Sequence, residues 1–418
     1  MEERLRSLQR EGRQVIDLGR ADPDQPAPPE VVAALARSAA RPEVHGYPPR
    51  RGLERLRRAI GDWYRDRHRV HLDPDREVLA LLGSKAGIFH LPLAVLDPGD
   101  VALVPDPAYP AYRMGAYLAG AEVVSMPLRP ELGYLPALDA IPANVLRRAR
   151  LLYLNYPHNP TGATASLRFL RDAVQFCRRH GLLLCHDFAF GQSGYDGYRA
   201  PSLLEVDGAL DVAVEFISWS KAFCMSGWRL GAAVGNAGAI AALAQLESHV
   251  HSGVFAPVQI AGAVALEEVA RSGFIVALNE TYRARRDAVL AALREVGVNC
   301  RRPWATPFLW VACPDGGPSL PYAMWLLERA GIAVAPGAAF GAGGEGFLRL
   351  SLTAPTKMVE EAADRIRFLG AEGLRHRQRT VGQAPSGPIL PAPEPARLIG
   401  RGEAPAASAS ADTLLGCL

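Results

Sequence analysis

The chain has 418 residues, 49% hydrophobic and 21% charged, long enough for a large core plus a second, smaller domain. Its net charge of +3 argues against a nucleic-acid partner, and no apolar run approaches the length of a membrane span. The cysteines (Cys177, Cys185, Cys224, Cys300, Cys313 and Cys417) form no C-x-x-C pair and no metal-ligand spacing, which points to a reducing compartment and no bound metal. The charged N-terminus lacks the apolar segment of a leader, so the expected location is cytoplasmic.

In chain order, residues 1–14 read as a charged helix, and 16–24 turn into Pro28-Pro29, with a proline-opened helix expected over 31–40. The turn-rich stretch 45–52 precedes an amphipathic helix whose Leu53, Leu56, Ile60, Trp63 and Tyr64 share one face. Residues 78–82 form a buried-strand run, and Gly83-Ser84-Lys85-Ala86-Gly87 leads from it into a helix. A helix start of this kind presents unpaired N–H groups and a positive dipole end, which suit a phosphate. The strand at 101–104 ends in Pro105-Asp106-Pro107-Ala108-Tyr109-Pro110-Ala111-Tyr112. Tyr109 is placed to stack on a flat ring, whereas Tyr112 reads as a core or turn tyrosine.

A strand over 151–154 leads to Asn155-Tyr156-Pro157-His158-Asn159-Pro160-Thr161-Gly162, and a helix over 166–179 stops at Gly181. The strand over 182–187 ends on Asp187, at the end of an open α/β sheet where ligands sit; His186 beside it reads as structural. A further strand, 212–217, runs into Ser218-Trp219-Ser220-Lys221, with Arg229 shortly after. Free lysine titrates near ~10.4, and a half-buried site beside a cation lowers that value and favours Schiff-base chemistry. Ser218, Ser220 and Arg229 suit a phosphate, the arginine through forked charge-assisted bonds. Together they ask for pyridoxal phosphate on Lys221.

Beyond a strand at 230–234 the chain reads as mostly helical to about 293. A small α+β unit follows, with strands at 306–311 and 347–352 around a helix at 322–330. Arg349 is the single charge in its strand. A buried arginine without an anion is costly, so a ligand carboxylate is its natural partner. Residues 341–346 fit G-x-G-x-x-G but precede a strand instead of joining a strand to a helix, so the dinucleotide reading fails. A mobile loop near the substrate entrance is expected there.

The string S-x-S-K-x-x-x-x-x-G-W-R at 218–229, with G-S-K-x-G, P-x-Y-P-x-Y, N-x-x-x-N-P-T-G and R-x-x-L elsewhere, resembles class I/II aminotransferases of fold-type I. The wording is nearest the LL-diaminopimelate and aspartate aminotransferase-like branch, over about 16–369. The resemblance implies an α/β fold with a large, mostly parallel sheet domain (47–293) and a smaller α+β domain (294–370). Residues 1–46 would pack with the small domain, and 371–418 would form a disordered Pro/Ala-rich tail.

By the same resemblance, Lys221 carries the cofactor and moves the α-proton, and Asp187 keeps the pyridine nitrogen protonated. Ser84, Lys85 and Ala86 join Ser218, Ser220 and Arg229 around the phosphate, and Tyr109 stacks on the ring. Asn159 donates to the ring 3-oxygen and touches the substrate. Gly19 lines the substrate mouth, where Ala21 replaces the family's second glycine, and Arg349 clamps the α-carboxylate. Tyr47 resembles a tyrosine that reaches the phosphate of a partner subunit, which implies a homodimer with shared sites. The implied activity is amino transfer between an amino acid and a 2-oxo acid. One position departs: the family's D-x-A-Y is Asp187-Phe188-Ala189-Phe190 here, so Phe190 keeps the ring and loses the hydroxyl that would meet the 3-oxygen. That leaves open a β-eliminating lyase, a decarboxylase or an oxidase that uses the same cofactor. A cofactor-sensing regulator would need a separate DNA-binding segment, and none precedes residue 16.

Overall fold

The computed structural model describes residues 1–375; the tail expected over 371–418 lies, from residue 376 on, outside the described residues. The strands are β1 (Ile16–Asp17), β2 (Val78–Leu81), β3 (Val101–Asp106), β4 (Glu122–Pro127), β5 (Ala149–Asn155) and β6 (Leu183–Asp187). They continue with β7 (Ala213–Ser218), β8 (Gly231–Gly235), β9 (Phe308–Ala312), β10 (Ile332–Ala333), β11 (Ala335–Pro336) and β12 (Phe347–Ser351). The large sheet has seven strands in the order β2-β8-β7-β6-β5-β3-β4. β8 alone runs against the direction of the other six strands.

The near-continuous apolar runs of the inner strands follow from burial on both faces, the usual state of a parallel sheet. Alternate residues serve opposite layers. Leu79, Leu81, Val104, Tyr153 and Phe216 pack with Ile88, Leu91, Ile240 and Leu243 of the helices Ser84–Val95 and Ala237–Val250. Val78, Leu103, Leu152, Leu154 and Leu184 pack instead with Leu56, Ile60, Leu170, Val174 and Val264 of the helices Glu54–His68, Leu167–His180 and Ala256–Glu267. Local signals set the helix ends. Ser166 Oγ accepts the Phe169 N–H at 3.2 Å to open Leu167–His180, and Gly181 closes it at φ 66°.

A second cluster surrounds the antiparallel sheet β11-β12-β9 and joins Leu309 and Leu350 to Leu278, Tyr282 and Val289 of the helix Phe274–Glu295. The N-terminal segment divides between the two layers of packing. β1 pairs in parallel with β10, and Ile16 and Leu18 join the second cluster. Val31 and Ala34 of the helix Pro29–Ala39 join the first, on the large sheet's side.

The glycine-rich stretch expected to be a mobile loop is instead seated against the end of β3. It folds into the short turns Gly337–Phe340 and Ala342–Gly344, and the Gly343 N–H donates to Asp106 Oδ1 at 2.9 Å. A Cβ on Gly341 would lie 2.3 Å from that carboxylate oxygen, and one on Gly344 2.1 Å from the Gly337 carbonyl. Its glycines therefore serve close packing, a demand that composition alone does not distinguish from flexibility.

Candidate active site

The parallel strands deliver their C-terminal ends to one edge of the sheet, and the segment 19–22 and β12 close over it. A cavity of about 340 Å³ opens between them. At one end of it, Gly83 turns β2 into the helix Ser84–Val95 with φ 84°. A Cβ there would stand 2.4 Å from Arg229 Nη2, so only glycine lets the guanidinium cross the helix start. Ser84, Lys85, Ser218, Ser220 and Arg229 line this end, joined by Ser226, whose carbonyl accepts from Arg229 Nη1 at 2.8 Å. Helix-start N–H groups, hydroxyls and an arginine with no carboxylate partner among the described residues form a cradle for a doubly charged oxyanion.

Tyr109, Asp187, Phe190 and Lys221 also line the cavity. Lys85 Nζ sits 5.7 Å from the Tyr109 ring centroid. Asp187 is buried and accepts on both oxygens, from Tyr112 Oη at 2.7 Å and from the Ala189 N–H at 3.1 Å. Burial pushes its carboxyl above the usual range, while those donors and the neighbouring His186 oppose the rise. His186 itself faces away, to the buried Glu215 at 2.8 Å. Lys221 Nζ donates to the Ala21 carbonyl at 2.5 Å. Desolvation brings this amine down to about 8; Asp22 acts against the fall, and Arg349 and Arg229 act with it. Phe190 is buried edge-on against Phe308, with centroids 5.2 Å apart.

Arg349 reaches the same cavity from β12, only 6% exposed. Its Nη1 donates to Asn159 Oδ1 at 2.9 Å and its Nη2 to the Gly19 carbonyl at 2.7 Å, while Nε has no partner. The Phe308 and Phe340 ring centroids lie 4.4 and 4.8 Å from the guanidinium carbon. Among the described residues no carboxylate stands within ion-pair distance of it. Burial lowers its pKa to about 10, with Tyr109 acting against the fall.

The structure therefore brings most of the sequence candidates into one cavity. Gly19 reaches it only through its carbonyl on Arg349. Ala86 is half-buried in the helix behind Lys85 and does not line it. Tyr47 is 88% exposed and contributes nothing within this chain. Sequence reasoning missed the Ala21 carbonyl, Asp22, Phe308 and Phe340, and it read Tyr112 as core packing only. The P-x-Y-P-x-Y spacing carried a signal for Tyr112, since three residues is about one helical turn and sets it on the side of Tyr109.

A doubly wound sheet with a lysine amine, an oxyanion cradle and a buried carboxylate at its strand ends defines a pyridoxal-phosphate enzyme. The chain belongs to the aminotransferases of class I and II, whose family model matches residues 13–366. It is 46% identical over 367 residues to the LL-diaminopimelate aminotransferase of Desulforudis audaxviator, covering 88% of this chain and 93% of that one. The Moorella thermoacetica LL-diaminopimelate aminotransferase is 44% identical, covering 88% and 94%. Substrate-bound BacF from Bacillus subtilis superposes with a TM-score of 0.83 at 38% identity, over 86% of this chain and 91% of its own. A probable N-succinyldiaminopimelate aminotransferase from Thermus thermophilus also gives 0.83 at 38% identity, over 88% and 98%. The protein is thus a pyridoxal-phosphate-dependent aminotransferase, moving an amino group between an amino acid and a 2-oxo acid. The family supports transfer over the eliminating, decarboxylating or oxidising alternatives that Phe190 had left open.

The residues present fit the cofactor. The cradle of Ser84, Lys85, Ser218, Ser220 and Arg229 beside Gly83 matches a phosphate. Asp187 and Tyr109 suit the nitrogen and the face of a pyridine ring, and Lys221 and Arg349 line the same cavity.

Proposed function

We propose that Lys221 carries pyridoxal phosphate and that the amino donor is a diamino dicarboxylic acid of the LL-diaminopimelate type. The substrate reading draws its support from the curated relatives, which are 41–46% identical to this chain. The observation that carries the site reading is Arg349, a buried guanidinium with no counter-ion among the described residues, in the cavity that also holds Lys221.

When bound, pyridoxal phosphate supplies an aldehyde for the substrate amine and a ring that withdraws electrons from the α-carbon. The protein does the rest. Ser84, Lys85, Ser218, Ser220 and Arg229 hold the phosphate, with Ala86 contributing its place in the helix start. Arg349, held in place by Asn159 and the Gly19 carbonyl, fixes the α-carboxylate with its guanidinium. Asn159 commits its Oδ1 to Arg349, which leaves its Nδ2 to donate to the 3-oxygen. With Phe190 in place of a tyrosine, that amide is the donor this set offers there. Lys221, neutral at a lower pH than an ordinary lysine, takes the proton from the α-carbon and returns it across the cavity. Asp187 keeps the ring nitrogen protonated.

We also read the protein as a cytoplasmic homodimer, organised as a large domain over 47–293 and a small one over 294–370. Free cysteines at Cys177, Cys185, Cys224, Cys300 and Cys313 support the first. Exposed Tyr47, Val250 and Phe255 support the second: Pro48, beside Tyr47, packs on Gly253 between the other two.

The test is to mix the pyridoxal-phosphate form with LL-diaminopimelate and a panel of other amino acids, each with 2-oxo acids, and to identify the products by mass. Transfer of the amino group to the oxo acid is expected. Release of ammonia or carbon dioxide without transfer would refute the assignment, and preference for a monocarboxylic donor would refute the substrate class. Borohydride should fix the cofactor on the Lys221 peptide and no other.

A further inference from the structure

We propose that Tyr112 is a positioning residue of this enzyme, whose hydroxyl holds Asp187 as an ionised carboxylate aimed at the cofactor's ring nitrogen. The inference rests on the reading that Asp187 serves that nitrogen.

A carboxylate in this place faces a conflict. It has to be charged to keep a proton on a pyridine ring, yet it is 7% exposed at the end of an inner strand, where desolvation favours the neutral acid. A neutral carboxyl would present its own proton to the ring and could not fix the protonated form. No cation pairs directly with Asp187 among the described residues; His186, the nearest basic side chain in sequence, turns its Nδ1 to Glu215 instead. The charge is therefore held by hydrogen bonds, and the Tyr112 hydroxyl, at 2.7 Å from Oδ2, is the one side-chain donor among them. The other is the Ala189 N–H at 3.1 Å on Oδ1. With each oxygen fixed by its own donor, the carboxylate plane is set before any ligand arrives.

Packing holds Tyr112 in place to donate there. It is fully buried in the helix Ala111–Leu118, and its ring stacks on Tyr153 at 4.9 Å with 11° between the planes. An edge contact at 6.0 Å ties it to Tyr109, the candidate for the face of the cofactor ring. One short segment thus positions both the stacking ring and the group behind the ring nitrogen, which gives P-x-Y-P-x-Y a reason for its second tyrosine. Burial and the adjacent carboxylate also hold the Tyr112 phenol well above its ordinary range, so it keeps the proton it donates.

The test compares affinity for pyridoxal phosphate with that for 1-deazapyridoxal phosphate, in which carbon replaces the ring nitrogen. Both have the same aldehyde and phosphate, so their affinity ratio reads the nitrogen–carboxylate contact alone. The wild type should prefer the natural cofactor. Tyr112→Phe, which keeps the ring and its packing, should bind pyridoxal phosphate about ten- to a hundredfold more weakly, the range for a hydrogen bond to a charged group. Its affinity for the deaza analogue should change by less than about threefold, so the ratio collapses toward one. Tyr153→Phe, a neighbour with no contact to Asp187, should leave the ratio at the wild-type value. Equal losses for the two cofactors in Tyr112→Phe would overturn the proposal, because a packing defect does not distinguish nitrogen from carbon. Asp187→Ala separates the two levels of inference. If it retains the wild-type ratio, the reading of Asp187 falls; if it loses the ratio while Tyr112→Phe keeps it, only the role of Tyr112 falls.

Discussion

Replacing Arg349 tests the proposed carboxylate contact most directly. The guanidinium is 6% exposed and flanked by Phe308 and Phe340, with two of its nitrogens committed to Asn159 and Gly19 and a third free. A carboxylate arriving there meets a desolvated, pre-oriented cation, and the loss of such a pair costs about 2–5 kcal/mol. At ~1.4 kcal/mol per factor of ten, Arg349→Gln should lower kcat/KM for an amino acid by about 30- to 3,000-fold. Arg349→Lys keeps the charge without the planar fork and should fall between the two. The amine made by removing the same substrate's α-carboxylate never formed the pair, so its slow half-reaction should change by less than about threefold. Single-turnover absorbance measurements on the cofactor-loaded proteins give both numbers. Equal fractional losses for acid and amine would refute the reasoning and assign Arg349 to the architecture of the cavity.

Lys221 should capture pyridoxal phosphate with a rate that rises through a pH of about 8 and then levels, because only the neutral amine attacks an aldehyde. Arg349→Gln removes a cation that lowers this pKa and should move the midpoint up, whereas Asp22→Asn should move it down; shifts of one sign in both variants would contradict the electrostatic account. Phe190→Tyr should add a donor at the 3-oxygen and lower, by about one to two pH units, the midpoint of the bound cofactor's visible-absorbance titration. An unchanged midpoint would mean that Asn159 already satisfies the oxygen. Gly83→Ala, at φ 84° and in the path of Arg229 Nη2, should weaken pyridoxal phosphate about tenfold while sparing pyridoxal, which lacks the phosphate; equal losses would show that the turn and not the phosphate cradle was damaged.

The comparison between sequence and structure follows the range of the forces involved. Gly83-Ser84-Lys85, Ser218-Trp219-Ser220-Lys221 and the strand ending on Asp187 were legible because each needs only a strand, a tight turn and a helix start. Backbone geometry writes those features into a few adjacent residues. Arg349 was legible because one charge in an alternating strand is a local contradiction that only an anion resolves. What reaches across the chain was not legible. The Ala21 carbonyl on Lys221, the Gly19 carbonyl on Arg349, the Phe308 and Phe340 rings about its guanidinium, and the packed glycines against Asp106 all join segments that are far apart in sequence. Tyr112 stands between the two cases: its spacing from Tyr109 is plain in the sequence, yet a tyrosine in an apolar helix looks the same whether its hydroxyl meets water, backbone or a buried carboxylate. The sequence by itself determined which chemistry the strand ends carry. Only the tertiary structure decided which buried charges are held and by whom, because burial and hydrogen-bond partners depend on what the fold brings alongside, and no local pattern encodes that.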